Sequence, residues 1–101
     1  SNYLSKSMNN TFKQSVFGDG FTMLFDNEWS VSVQWSKLHK CDGGKTTAEV
    51  AVVDPDGIFW TVIDDRLHLT GDVMPHTTSE ELVNIIRLSS IQGPHKSWPQ
   101  V

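Results

Sequence analysis

The stretch "WSVSVQW", residues 29–35, carries the clearest hydrophobic pattern in this chain of 101 residues. Its two tryptophans and two valines alternate with two serines and a glutamine, and a period of two places the apolar and polar sets on opposite faces of a β-strand. The polar set indicates a face in contact with water, which is typical of an antiparallel sheet with one covered face. We therefore expect an interior strand whose tryptophans face the core. The alternative is an exposed aromatic platform for a ligand.

Similar runs and turn signals predict further strands around this one. The predicted strands span residues 11–17, 21–25, 47–53 and 58–63, and residues 66–69 form a short strand or sheet edge. Between the last two long strands, Asp54-Pro55-Asp56-Gly57 is a turn sequence, because proline presets φ and glycine adopts positive φ without steric penalty. Two β-hairpins are therefore expected, one on each side of a polar loop at residues 36–46.

The hydrophobic period changes to that of a helix near the end of the chain. Thr78-Ser79-Glu80-Glu81 is a capping-box sequence. Leu82, Ile85 and Ile86 then lie on one helical face, and Gly93-Pro94 ends the helix. The sequence thus predicts an α+β fold: a mainly antiparallel β-sheet of four to six strands with one C-terminal α-helix packed on one face.

The length predicts a single domain. We expect residues 1–10 to be a disordered N-terminal segment because they are polar, residues 11–93 to form the α+β domain, and residues 94–101 to be a C-terminal tail. No apolar run approaches the roughly 20 residues of a membrane span, and no signal peptide is recognised. The prediction is therefore a protein without a membrane partner.

The formal net charge of −4 is unevenly distributed. Residues 1–45 carry a balance of +1, whereas residues 46–101 carry a balance of −5. Binding to nucleic acid requires clustered lysine and arginine, and the chain has no such cluster, so no nucleic-acid partner is predicted. An acidic half can instead attract a partner with a basic surface. A solvated acidic surface without a partner is the alternative interpretation.

Catalytic and metal motifs are missing from the sequence. It contains no nucleophile-elbow, P-loop, zinc-protease or paired C-x-x-C motif, and its single cysteine, Cys41, excludes an internal disulfide. His39 and Cys41 form one short pair, whereas structural zinc sites need two such pairs. We therefore predict no catalytic residues, no metal site and no cofactor, and expect the protein not to be an enzyme.

Four residues are the candidates for binding a partner. Asp64, Asp65 and Arg66 form a charged turn in the acidic half, and neighbouring residues of an extended chain face opposite ways, which argues against a paired acid–base role. Trp98 is isolated in the polar tail, where it either folds back onto the domain or anchors a partner, since tryptophan is enriched among binding hot spots.

Several segments of the chain carry a family resemblance. They are "GFTMLFDNEWSVSVQW" (20–35), the Cys-containing polar loop that follows it, "TAEVAVVDPDGIFW" (47–60) and the helix start "SEEL" (79–82). Over about residues 20–90 the chain resembles small uncharacterised proteins encoded by tailed bacteriophages. It departs from them at residues 36–40, where "SKLHK" replaces a glycine-rich loop. The resemblance implies a small accessory protein in the cytoplasm of the host bacterium, and no catalytic residue is carried over from it.

Two functions follow as hypotheses. The first is a non-enzymatic phage-type accessory protein that binds and modulates or inhibits a host bacterial protein, for example in a defence system, with a partner whose surface is basic. The second is a small-molecule or nucleotide-sequestering protein. A domain of this size has little room for a deep pocket, so this second function would place the ligand at an oligomer interface; a homodimer is left open.

Overall fold

The computed structural model describes residues 11–15 and 18–93. These residues form seven strands and one helix: β1 (Thr11–Gln14), β2 (Gly20–Leu24), β3 (Ser30–Gln34), β4 (Thr47–Val53), β5 (Phe59–Ile63), β6 (Arg66–Leu69), β7 (Met74–Thr78) and α1 (Ser79–Ser90). The predicted α+β class, antiparallel sheet and C-terminal helix are confirmed. The expected disordered segment 1–10, the tail 94–101 and the end of the first predicted strand lie outside the described residues.

The sheet is a meander with a split. Its strand order is β1-β2-β3-β4-β5-β6, every neighbouring pair is antiparallel, and β7 also pairs with β4. One edge of β4 pairs with β3. The other edge is shared, because β5 pairs with β4 only at Val52 and Val53, and β7 pairs with it at Thr47, Ala48 and Val50. The sheet therefore opens between the ends of β5 and β7.

The strand β3 lies in the interior of the sheet, as its alternation predicts. Val31 faces Met23 on one neighbour and Val52 on the other, and all three belong to the core or pack against it. Trp29 immediately precedes β3 and is only 1% exposed, and its ring centroid is 5.5 Å from that of Trp60. The double-tryptophan segment is thus an interior element.

The second tryptophan of the segment 29–35 is less buried than the first. Trp35 follows β3, is half-buried, and meets the ring of Phe21 edge-on at a centroid distance of 6.3 Å. A Cβ atom placed on Gly44 would lie 2.8 Å from the Trp35 ring, and Gly44 has a φ of +82°. Glycine is required at this position because any side chain would strike the indole and the backbone is left-handed.

The helix begins at the predicted capping box. The amide of Glu81 donates to the Thr78 hydroxyl at 3.2 Å, and the amide of Thr78 donates to the Glu81 carboxylate at 2.9 Å. Two of the amides that an N-terminal turn leaves without helical partners are thereby satisfied. The helix contacts β3, β4 and β7, and its buried residues are Ile85 and Ser89.

The helix end is held by a side chain from the turn between β2 and β3. The Asn27 amide nitrogen donates to the carbonyl oxygens of Ser89 at 2.9 Å and Gln92 at 3.1 Å. Its carbonyl oxygen accepts from the Trp29 amide at 3.0 Å. One asparagine therefore fixes the end of α1 against the entrance to β3, an interaction between residues more than 60 positions apart.

Replacing Asn27 with aspartate is expected to lower the free energy of unfolding by about 1–3 kcal/mol at neutral pH. The change removes the donor and places a negative charge against carbonyl oxygens at the negative end of a helix. That environment raises the pKa of the new carboxyl in the folded state, so the deficit relative to the wild type shrinks as the pH falls and the carboxyl is protonated. Urea unfolding of both proteins at two pH values measures this. Equal stability at neutral pH would contradict the assigned role of Asn27.

The strand β7 is not predicted by the sequence. Its residues "MPHTT" show little apolar alternation and include Pro75, which cannot donate to a strand ladder. The strand exists because β4 offers a free edge beyond the point where β5 departs, and because the His76 amide donates to the Lys40 carbonyl at 2.9 Å. Backbone pairing to distant residues, rather than local pattern, determines this element.

Candidate binding groove

A cavity of about 570 Å³ lies where the sheet opens between β5 and β7. We call it the acidic groove. It is lined by residues 61–65, by residues 73–77, and by Glu81, Asn84 and Ile85 of α1. The end of β5 and the turn after it form one wall, and β7 with the helix forms the other.

The inner surface of the groove is partly apolar. Val62, Met74 and Ile85 line it, and all three belong to the core or pack against it. The Val62 amide, which has left the β4 ladder, donates to the Met74 sulfur at 3.4 Å. A thioether is a weak acceptor, so this contact is a poor substitute for a strand carbonyl. The groove thus combines an apolar surface with the edge of β5 that pairs with β4 only near its start, at Phe59 and Trp60.

Two aspartates form the turn between β5 and β6. The pair Ile63 and Arg66 closes the hairpin, and both Asp64 and Asp65 have positive φ angles, 51° and 61°. Two consecutive left-handed residues are the feature of a type I′ turn, which favours Asn-Gly or Asp-Gly. Aspartate adopts a positive φ less readily than glycine does. The Asp-Asp pair nevertheless occupies this turn, and it places two carboxylates at the mouth of the groove.

A hydrogen-bonded chain links this turn to the helix. The Asn84 amide donates to Asp65 Oδ1 at 2.8 Å, and Arg87 donates to Asn84 Oδ1 at 2.8 Å. Asn84 therefore connects the two walls of the groove. Arg87 is held by its hydrogen bond to Asn84, and it is not among the residues that line the groove.

The charges around the groove are predominantly negative. Asp64, Asp65 and Glu81 line it and are exposed, and no lysine or arginine is among its lining residues in the described part of the chain. Glu81 uses Oε1 in the capping box, and Asp65 uses Oδ1 for Asn84. The second oxygen of each carboxylate lies outside these bonds, which leaves acceptors for a positively charged group.

Backbone strain concentrates at the same place. Among the described residues other than glycine, four have a positive φ: Glu28, Asp64, Asp65 and His76. Three of them, all except Glu28, line the acidic groove. A positive φ is unfavourable for residues other than glycine unless the surrounding structure holds the backbone in place. Such residues occur at functional sites more often than elsewhere.

The predicted partner-binding residues fall in different places. Asp64 and Asp65 are brought together at the groove. Arg66 is exposed at the start of β6 and does not line the groove. Trp98 lies outside the described residues, so its two interpretations both stay predictions. Sequence reasoning missed the contributions of Glu81 and Asn84, which reach the groove only through the packing of α1.

A second cavity, of about 520 Å³, lies at the start of the helix. Phe21 and Trp35 line one part of it and Lys45 lines another, next to the first turn of α1. It combines aromatic rings with one positive charge, which is the opposite charge character to that of the acidic groove.

The polar loop after β3 is organised by its own side chains. The hydroxyl of Ser36, which is buried, lies 2.6 Å from His39 Nδ1 and accepts from the Leu38 amide at 3.2 Å. Hydrogen bonds from the Thr46 hydroxyl and from the amides of Thr47 and Thr46 hold the pKa of the Asp42 carboxyl well below its usual range. In residues 11–15 and 18–93 no three His, Cys, Asp or Glu side chains are grouped to hold a metal ion. The Ser36–His39 contact joins two residues of this loop.

Comparison with known proteins identifies no relative of this chain. No family model, no curated protein and no solved structure matches the chain. The bacteriophage resemblance therefore stays a prediction. The described residues also contain no helix with the length and apolar character that crossing a membrane requires.

Proposed function

We propose that this protein is a non-enzymatic accessory protein that binds a host bacterial protein and modulates or inhibits it. The partner presents a basic surface, and the acidic groove is the contact site. The observation that supports this proposal most strongly is the combination of three carboxylates, from Asp64, Asp65 and Glu81, with an apolar inner surface in one groove.

The two components of the groove have different roles in binding. Negative charge at the rim accelerates the encounter with a basic partner and disfavours acidic ones. Burial of apolar surface against Val62 and Met74 contributes affinity that does not depend on salt. The complex should therefore weaken with rising salt without dissociating entirely.

The biological setting of the proposal comes from the bacteriophage resemblance. It implies that the protein acts in the cytoplasm of an infected bacterium, where a host defence system is one class of target. A host protein that is inhibited by occlusion needs no chemistry from its inhibitor. This agrees with the sequence, which offers no catalytic motif.

The double variant Asp64→Asn with Asp65→Asn is expected to bind the host partner about tenfold more weakly, because two rim charges that attract it are removed. The tagged full chain retains partners from a bacterial lysate, mass spectrometry identifies them, and calorimetry with the purified partner measures the affinity. The matched control is Asp19→Asn with Asp26→Asn, which changes the net charge equally at two exposed positions outside the groove.

Two results would count against the proposal. One is repeated failure of the wild-type chain to retain any host protein. The other is equal weakening by both double variants, because that would mean net charge rather than the groove governs binding.

The second candidate function is a small-molecule or nucleotide-sequestering protein. The second cavity favours it, because Phe21 and Trp35 offer rings for stacking and Lys45 offers a charge for an anionic group. Thermal unfolding in the presence of a nucleotide panel separates the two functions. A ligand-dependent rise of the midpoint that Lys45→Ala abolishes would favour sequestration.

A further inference from the structure

Three aromatic rings form a row on the side of the sheet that also carries α1. The ring centroid of Phe12 lies 6.3 Å from that of Phe21, which lies 6.3 Å from that of Trp35. Met23 pairs with Phe12 across β1 and β2. We call these four residues the aromatic strip. Phe21 and Met23 both pair with core valines of β3, so the strip lies on the core side of the sheet.

The outer end of the aromatic strip is exposed. The helix packs mainly on β3, β4 and β7, whereas Phe12 lies on β1, at one end of the strand order, and is 73% exposed. A single exposed apolar side chain is ordinary on a protein surface. Phe12 instead continues a half-buried apolar row through Met23 and Phe21, and contiguous apolar surface of this kind is a feature of interaction sites.

The C-terminal tail leaves the described structure beside this strip. The Asn27 side chain donates to the Gln92 carbonyl at 3.1 Å and thereby holds the end of α1 against the turn between β2 and β3. Gly93 is the last described residue. Because Met23 is near the end of β2 that enters this turn, the tail begins at the end of the sheet where Phe12 and Met23 lie.

The length of the tail allows its tryptophan to reach the exposed end of the strip. Trp98 follows Gly93 by five residues, which span at most about 18 Å when extended. Met23 precedes Asn27 by four residues, or about 13 Å along the chain, and Phe12 lies about 5 Å further across, on β1. The straight distance from the turn to Phe12 is therefore about 14 Å, which is within that reach.

Charge complementarity favours the same path. The turn that holds the end of α1 carries two exposed carboxylates, Asp26 and Glu28. Lys96 follows Gly93 by three residues, so it passes this turn on the way to the strip. The attraction is modest because the carboxylates are exposed to water, but its sign supports a tail that runs past the turn rather than away from it.

We propose that the aromatic strip is the docking site of residues 94–101 of this chain. The indole of Trp98 packs on Phe12 and Met23, where aromatic rings and a thioether offer favourable contacts. Lys96 lies beside the two carboxylates of the turn. The docked tail continues the apolar layer that α1 begins and shields the edge strand β1. This inference does not depend on the acidic groove, which lies between β5 and β7.

The test uses the full chain labelled with 5-fluorotryptophan. The chain has four tryptophans, and the ¹⁹F signal that disappears in Trp98→Phe belongs to Trp98. A free peptide with the sequence of residues 94–101, labelled in the same way, gives the reference position. The Trp98 signal of the full chain is expected to lie away from that reference, and nuclear Overhauser cross-peaks are expected between the rings of Trp98 and Phe12.

Two substitutions and a matched control identify the contacts. Phe12→Ala is expected to return the Trp98 signal to the reference position, because the ring on which the indole packs is removed. Lys96→Glu reverses the charge beside the turn, so it should move the signal part of the way, and further at low salt than at high salt. The control Leu38→Ala removes a side chain that is 74% exposed in the polar loop after β3, and it should leave the signal unchanged.

Three results would overturn the docking site. The first is a Trp98 signal of the wild-type chain at the reference position, including one that moves only when a host protein is added, since Trp98 would then anchor the partner. The second is an equal shift in Phe12→Ala and Leu38→Ala. The third is a set of cross-peaks that arises only between differently labelled molecules in a sample that sediments as a dimer, because the strip would then hold a second copy of the chain.

Discussion

Trp29→Ala is expected to lower the free energy of unfolding by about 3–5 kcal/mol, as truncation of a buried aromatic residue does. Trp29 is 1% exposed and packs on Trp60 within the core cluster that β3 and β4 build. Domains of about this size have a total stability of roughly 5–15 kcal/mol. The variant should therefore be marginally folded, because the lost indole leaves a cavity in the core.

Urea unfolding followed by far-ultraviolet circular dichroism measures this loss without relying on tryptophan fluorescence. The matched control is Trp35→Ala, which removes the same side chain from a half-buried position six residues along. Its loss should be smaller, about 1–3 kcal/mol, because less apolar surface returns to water. Equal losses for the two variants would mean that Trp29 is not the interior member of the pair.

Asp54→Ala is expected to destabilise the protein by about 2–4 kcal/mol, because several donors lose one acceptor group. Asp54 is 5% exposed. Its Oδ2 accepts from the indole nitrogen of Trp60 at 2.7 Å, and its Oδ1 accepts from the amides of Asp56 at 2.9 Å and Ile58 at 3.0 Å. One carboxylate thus closes the β4–β5 turn and satisfies a buried indole at the same time.

A double-mutant cycle isolates the indole contact from the turn contacts. Trp60→Phe removes the indole N–H and keeps an aromatic ring, and the cycle with Asp54→Ala should give a coupling energy of about 1 kcal/mol or more. Asp54→Asn is a further probe, since an amide keeps the oxygen that accepts from the turn but presents a donor to the indole. Additive single effects within about 0.5 kcal/mol would show that Asp54 and Trp60 do not interact.

Much of the fold could be predicted because its signals are local. The alternation of residues 29–35 locates β3, the capping box at Thr78 locates the start of α1, and the Asp54-Pro55-Asp56-Gly57 turn separates β4 from β5. Each of these signals is a backbone periodicity, a turn sequence or a cap, and the turn and the cap each span four residues. The structure reproduces them because tertiary packing agrees with the local preference.

The strand β7 and the contacts of Asp54 could not be predicted for the opposite reason. Residues 74–78 form a strand only because β4 has an edge that β5 does not use. The sequence identifies Asp54 as a turn residue, but its bond to Trp60 depends on how β5 returns beside β4. Both features depend on pairing between distant parts of the chain, and the local sequence does not indicate that pairing.

The candidate site was predicted in part. The sequence identifies Asp64 and Asp65 as a charged turn, and both residues line the groove. The groove they border depends on the split between β5 and β7, so its helix residues and Thr61 were not recognised. Arg66 is adjacent to the aspartates in the sequence, but it does not line the groove.

Photo-crosslinking from the groove tests most directly whether the acidic groove contacts the host partner. A benzoylphenylalanine is introduced in place of Ile63, which lines the groove and is 50% exposed. A second chain carries it in place of Phe12, which is 73% exposed on β1 at the opposite end of the strand order. The proposed function predicts a covalent adduct with the host protein from position 63 and none from position 12. An adduct from position 12 alone, or equal yields from both positions, would contradict it.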